Sequence, residues 1–354
     1  MVEPVEIREG LARILVPPSD WKKGPNSADV EVFYNPTMEL NRDISVSLLD
    51  VIKPRRVLDG LAASGIRGIR FSLETSAREV HINDRDPKAY ALIKKNIELN
   101  RADAVAHNED FNVLARSMGF DYVDVDPFGT PVPFLESAIM SLSRRGVLAI
   151  TATDTAVLCG AYPKVCRRRY MANPVHNRCM HEAGLRILIG YAVRIAATHD
   201  IGLRPILSYS ADHYFRAYLK VEKGATKADR ALQSIGTISF DGFSLKEGAE
   251  HGPMWLGLLF DMETLNSMEV EEHFGTKKRM EKLLALWKSE ADMPTCFHES
   301  PEIASKLGMS VPTMERILEG LREMGYRAER THFSPTAFKT DASIKDIFRV
   351  FGHK

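Results

Sequence analysis

Asp121–Thr130 reads DYVDVDPFGT, an apolar run that breaks off in an acid, a proline, a phenylalanine and a glycine. The run has the length and composition of a buried strand. Its neighbours repeat the pattern. RRVLDGLAA, REVHINDRD and DAVAHNEDF stand upstream and RGVLAITATD downstream, with helical stretches between them from about residue 56 to residue 156. Strands spaced by crossover helices imply parallel βαβ units in an open sheet covered on both faces. One helix is well signalled. Asp86 caps it, Pro87 suits its first turn, and AYALIKKNIELN places Ala89, Leu92, Ile93 and Ile97 along one side.

Ligands of such sheets bind outside the carboxyl ends of the strands. After the first run, LDGLAASGIRGIR offers small residues from Gly60 to Gly68 for a tight turn and a close approach of backbone amides. The second run ends at Asp84, 19 residues after Gly65, where a carboxylate can accept hydrogen bonds from both ribose hydroxyls of a nucleoside cofactor, or cap a helix. The third ends in NEDFN, where Asp110 can accept from an adenine amino group while Phe111 packs against the ring. The order DGLAASGIRG does not fit the GxGxxG fingerprint of dinucleotide enzymes, and a methyl donor of the S-adenosylmethionine type fits these strand ends better than NAD.

The fourth strand end then acquires a role. A nucleobase amino group is a poor nucleophile because its lone pair is delocalised into the ring. A carboxylate that accepts from the N–H orients the lone pair and then takes the proton. Asp126 is the candidate, with Pro127 stiffening the turn, Phe128 stacking on the base and Gly129 turning the backbone away.

Composition limits the alternatives. The chain has 354 residues, enough for two domains, with 44% hydrophobic and 27% charged residues, as in an ordinary soluble protein. It shows no apolar run of membrane-spanning length and no secretory leader, so a cytoplasmic location and no membrane partner are expected. Cys159, Cys166, Cys179 and Cys296 form no CxxC pair, so free thiols and no metal site are expected. Forty-seven basic residues balance 47 acidic ones, which leaves nucleic-acid binding to a localised basic face. KVCRRRY supplies one, with Lys164, Arg167, Arg168 and Arg169 just past the fifth strand. Phosphate contacts there would position an RNA and make its binding salt-dependent.

Two segments complete the first domain. Residues 178–200 read as a long buried helix. RPILSYSADHYFRAYLKVEKG reads as an antiparallel hairpin at the sheet edge. The rhythm then changes, and the chain divides into residues 1–222 and 223–354. Residues 300–333 suggest a short helix, a glycine turn, a longer helix and a β-like stretch, either a winged-helix-like unit or a helical hairpin packed on its own domain. RTHFSPTAFKTDAS places Arg330, His332 and Lys339 in what reads as a loop gripping the RNA backbone.

VLDGLAASGIRGIRF, DVDPFGTP, ITATDTAVLCG, HYFRAYLKV and THFSPTAFKTDA occur together and in the order of one family. The sequence resembles the tRNA (guanine-26, N2)-dimethyltransferases in their archaeal form, from about FYNPTMELNRD to the C-terminus. The resemblance implies a Rossmann-like class I S-adenosylmethionine-dependent methyltransferase sheet, parallel with an antiparallel edge hairpin, and a smaller C-terminal α+β domain that binds tRNA. It implies contacts to the methyl donor from Arg42, Arg67, Asp84, Asp110 and Phe111, catalysis by Asp126, and a guanine held between Phe33 and Phe128. The paired cysteines of some relatives and the basic tails of some eukaryotic members have no counterpart here, so no zinc is implied and the folded body must hold the tRNA. A monomer is expected, with no obligate protein partner. The alternatives are methylation of rRNA guanine or DNA adenine, and a tRNA-binding protein with a spent donor site. The acids at Asp84, Asp110 and Asp126 speak against the last.

Overall fold

The computed structural model describes residues 4–18, 32–239 and 250–352. An N-terminal hairpin, β1 (Val5–Glu9) and β2 (Ala12–Val16), precedes helix α1 (Glu39–Ile52). Four βα units follow: β3 (Arg56–Asp59) with α2 (Ile66–Glu74), β4 (Glu79–Asn83) with α3 (Pro87–Asn100), β5 (Ala104–His107) with α4 (Phe111–Ser117), and β6 (Phe120–Val125) with α5 (Leu135–Ser141). Next come β7 (Leu142–Ala152), α6 (Thr155–Leu158), α7 (Pro163–Tyr170), α8 (Met180–Ala197) and the hairpin β8 (Ile201–Ala211) and β9 (Tyr214–Lys223). The seven strands order as β5-β4-β3-β6-β7-β9-β8, parallel except for β9, which runs antiparallel to β7 and β8.

The local signals act as the sequence suggests. Asp86 accepts the Lys88 N–H at 2.9 Å at the start of α3, with Pro87 in its first turn. Twelve of the 18 residues of α8 are buried, which makes it a core helix across one face of the sheet. The N-terminal hairpin has no local signal. Asn96 and Asn100 of α3 reach across to it, Asn96 exchanging bonds with the Leu15 N–H and C=O at 2.8 and 3.1 Å.

The remaining chain forms α9 (Ala225–Leu232), the two-stranded ribbon β10 (Ile235–Ile238) and β11 (His251–Trp255), α10 (Met262–Ser267), α11 (Lys277–Glu290), β12 (His298–Glu299), α12 (Ser300–Lys306), α13 (Met314–Glu323), β13 (Ala328–Thr331), β14 (Ser334–Thr340) and α14 (Ile344–Phe351). A division at residue 223 does not match the packing. The core of the large sheet continues through Met254, Leu265, Met280, Trp287 and Ala291, and a separate core begins at Ile303 and ends at Phe351. Aromatic contacts carry the first core across the expected boundary, for Trp287 of α11 lies against Tyr209 of β8. The small C-terminal unit is a three-stranded sheet, β12-β14-β13, with α12, α13 and α14 around it.

Candidate active site

The carboxyl ends of β3, β4, β5 and β6 meet along one rim. Gly60 donates to the Asp124 carbonyl at 3.1 Å and Ala62 to the Asn83 carbonyl at 2.9 Å, which closes the turn after β3. A Cβ at Gly60 would stand 2.3 Å from the Phe111 ring and 3.1 Å from the Asp124 carbonyl, so this backbone approach requires glycine. Gly65, at φ +79°, turns the chain into α2. Asn83 escaped the sequence reading. Buried completely, it donates to the carbonyls of Gly60 and Glu109 and accepts from the Glu109 N–H, tying three strand ends together.

Asp84 stands at the end of β4 with its carboxylate oriented by two amides, those of Ala63 and Asp86, each at 2.9 Å. Each oxygen keeps a lone pair for a further donor, which suits a ribose diol. Asp110 caps α4 through one oxygen, which accepts from Asn112 at 2.9 Å and Val113 at 3.4 Å. Its other oxygen has no protein partner among the described residues. Phe111 departs from expectation. It is 2% exposed, edge-on to Phe134 and pressed under Gly60, so its ring belongs to the core and presents no face for adenine to stack on. The cause is the helix start at Phe111, which turns that side chain inward.

Arg42 is also buried, and its guanidinium is committed to Glu9 of β1, with two bonds of 2.6 Å, and to the Asn35 carbonyl at 3.1 Å. Against the expectation of a contact to the methyl donor, its protein partner is an acid 33 positions away. Burial alone would push the Glu9 carboxyl up, but Arg42 and Arg70 outweigh this and hold it below its ordinary value.

Arg67 sits at the centre of the rim. Its Nη1 donates to Asn41 Oδ1 and Ser45 Oγ, both at 2.9 Å, its Nε lies 3.6 Å from Asp124, and its Nη2 binds the Asp126 carboxylate. Asp124 is buried on β6 and is gripped from the other side by Arg216 of β9, which also donates to Thr151. Burial drives the Asp124 carboxyl upward, and the two arginines reverse the shift so that it stays ionised. Asp59, fully buried nearby, is pushed by burial up to about 7. The result is a chain of alternating charge, Arg216–Asp124–Arg67–Asp126, that starts inside the sheet and ends at the one carboxylate reaching solvent. The Asp126 side chain is 19% exposed.

Phe128 follows Asp126 and is 71% exposed. Phe33 lies against it, ring centroids 4.5 Å apart and planes at 83°. The rings meet edge to face, with no gap for a base between them. Gly129 exchanges bonds with Thr153 at 2.7 and 2.9 Å, and Thr130 Oγ1 lies 2.7 Å from Tyr170 Oη at the end of α7. Lys164, Arg167, Arg168 and Arg169 all project from α7 into solvent, anchored to the loop that carries Asp126. Arg167 donates to Asn173 and Arg169 to Asp154.

The C-terminal candidates stand elsewhere. Arg330 is paired with Glu315 on the surface. Lys339 is no loop residue. It lies on β14, the middle strand of its sheet, 2% exposed, with Nζ 2.9 Å from Glu182 and 3.9 Å from Glu290. Two buried carboxylates draw it inward. His332 likewise turns to Glu290. Among the described residues no group of three or more His, Cys, Asp or Glu is placed to hold a metal, and no helix is long and apolar enough to cross a membrane.

A mixed Rossmann-like sheet with a nucleoside-compatible rim and a terminal carboxylate beside exposed aromatics defines a class, the S-adenosylmethionine-dependent methyltransferases. The solved complex of Trm1 from Pyrococcus horikoshii with S-adenosyl-L-methionine matches the chain with a TM-score of 0.90 at 41% identity, over 98% of this chain and 99% of that one. The family model described as N2,N2-dimethylguanosine tRNA methyltransferase matches residues 10–352. The tRNA (guanine(26)-N(2))-dimethyltransferase of Pyrococcus abyssi is 44% identical over 99% of each chain. The tRNA (guanine(26)-N(2)/guanine(27)-N(2))-dimethyltransferase of Aquifex aeolicus is 38% identical over 97% of this chain and 94% of its own. The chain belongs to the Trm1 family of S-adenosylmethionine-dependent tRNA (guanine(26)-N(2))-dimethyltransferases.

Proposed function

We propose that this chain methylates the exocyclic N2 of guanine 26 in tRNA, first to N2-methylguanosine and then to N2,N2-dimethylguanosine, with Asp126 as its catalytic carboxylate. The observation that carries the reading is the charge chain from Arg216 to Asp126, which fixes a carboxyl group at the carboxyl end of β6 within a rim suited to a nucleoside. S-adenosylmethionine, when bound, supplies an electrophilic methyl group. Asp84 accepts from its ribose hydroxyls and Asp110 from its adenine amino group, while Gly60 lets the backbone come close. Asp126 accepts from the guanine N2–H, aims the nitrogen lone pair and takes the proton as the new bond forms. After the first transfer one N–H remains, so the same carboxylate serves the second.

The target base must leave its stack, at a cost of about a few kcal/mol that contacts in the pocket offset. Phe128 swings off Phe33 to take it, and the two rings then hold guanine from either side. Lys164, Arg167, Arg168 and Arg169 bind phosphates beside the site. The C-terminal unit, which together with the preceding α11 runs helix, strand, two helices and hairpin in the order of a winged helix, supports the tRNA body. The test is transfer of labelled methyl groups to unmodified tRNA transcript, with nucleosides identified by mass spectrometry. N2-methylated guanosine that disappears when guanine 26 is replaced is expected. Label in rRNA or DNA but not in tRNA would overturn the substrate.

A further inference from the structure

Two cysteines that play no part in methyl transfer lie where the C-terminal unit meets the large core. Cys179 occupies the cap position of α8, is fully buried, and its Sγ donates to the Phe297 carbonyl at 3.5 Å. The residue before that carbonyl is Cys296, so a long stretch of chain returns to set one thiol beside the other. Cys296 is partly exposed and is held at φ +70°, a conformation that a non-glycine residue keeps only where its surroundings impose it. The flanking contacts fix the junction. Arg178 pairs with Glu302 of α12, Lys339 of β14 with Glu182 of α8, and Phe297 stacks on Phe333 at 5.8 Å.

The four thiols divide into two kinds. Burial pushes Cys159 and Cys166 up to about 12, which leaves them protonated and unreactive. In the other pair, the adjacent Cys296 thiol lowers Cys179 in spite of burial, and the same contact raises Cys296. One sulfur can thus become a thiolate at a helix start, where the dipole favours it, while its neighbour keeps the proton.

We propose that Cys179 and Cys296 are a redox-sensitive pair that closes into a disulfide across the junction between the large core and the C-terminal unit. The oxidant is a small-molecule disulfide. Exchange at the accessible Cys296 releases one small thiol and leaves a mixed disulfide. The Cys179 thiolate then attacks Cys296 Sγ, the protein S–S bond forms, and the second small thiol departs. Two protein thiols and one small disulfide give one protein disulfide and two small thiols. The hydrogens and the two electrons pass to the small molecule. Closure ties α8 to the segment before β12 and adds a covalent link to the ion pairs that already hold the two cores together.

The experiment uses the full chain equilibrated with oxidised glutathione, then unfolded, alkylated and digested without reduction. A peptide joining Cys179 to Cys296, with Cys159 and Cys166 alkylated, is expected. Tm should rise by about 5 °C and return with dithiothreitol. Cys296→Ser, at a partly exposed position, should lose both the link and the shift while keeping the Tm of reduced wild type. Alkylation of all four thiols, a Cys159–Cys166 link instead, or glutathione left stably on Cys296 would each overturn the proposal.

Discussion

Asp126 owes its position to a partner that no local pattern reveals. Arg67 stands 59 positions away in sequence and is itself fixed by Asn41, Ser45 and Asp124. Asp126→Asn should abolish turnover yet leave the affinity for S-adenosylmethionine within a few-fold, because the proposed function assigns that ligand to Asp84 and the Gly60 turn. Calorimetric titration alongside the methylation assay separates the two effects, and joint loss would make Asp126 structural. Arg216 is a different case, fully buried and remote from solvent. Arg216→Met leaves Asp124 ionised beside a single arginine and should lower unfolding stability by about 3 kcal/mol in urea titration. An effect below about 0.5 kcal/mol would mean that Asp124 does not need its second arginine.

The alternation of strands and helices, the capped α3, the long α8 and the β8–β9 edge hairpin were all legible, because each is announced by residues within its own span. The N-terminal hairpin, the inward turn of Phe111 and the burial of Arg42 were not, since each depends on side chains that meet only after folding. The places of Asp84 and Asp126 at strand ends were legible because each directly follows an apolar run. Asn83 could not, for its three partners lie on two other loops. The turn after β3 gives a test at this scale. Gly60→Ala puts a methyl group 2.3 Å from the Phe111 ring, so either the turn or the ring must move. The affinity for S-adenosylmethionine should fall at least tenfold, with a stability loss of about 1–3 kcal/mol. Strand β12 supplies another. Burial, with Arg178 nearby, lowers His298 from 6.5 to about 4. The unfolded chain therefore binds the extra proton first, so stability is full above pH 6.5 and is lost as pH falls toward 4. Tm should drop across that window, and His298→Gln should flatten part of the drop; parallel curves for the two proteins would exclude His298 as the cause.

At the scale of the whole molecule, a neutral protein must bind a polyanion through a local surface, and the structure separates two sets of basic residues that look alike in sequence. Lys164 and the arginines of α7 face solvent on a helix anchored to the loop after β6, whereas Lys339 is enclosed between Glu182 and Glu290 and has no charge to offer a phosphate. Replacing Arg167, Arg168 and Arg169 together by alanine should weaken tRNA binding and flatten the slope of log affinity against log salt by about 2, since each lost phosphate contact removes roughly 0.7–0.9 from it. Lys339→Ala should do the reverse, leaving the slope unchanged while lowering stability by about 3 kcal/mol, because two buried carboxylates lose a shared cation. Filter binding over a salt series and urea unfolding of both variants decide the matter. A slope that survives the triple replacement would move the tRNA off α7, and a slope that falls with Lys339→Ala would mean that the C-terminal unit opens to expose that lysine when RNA binds.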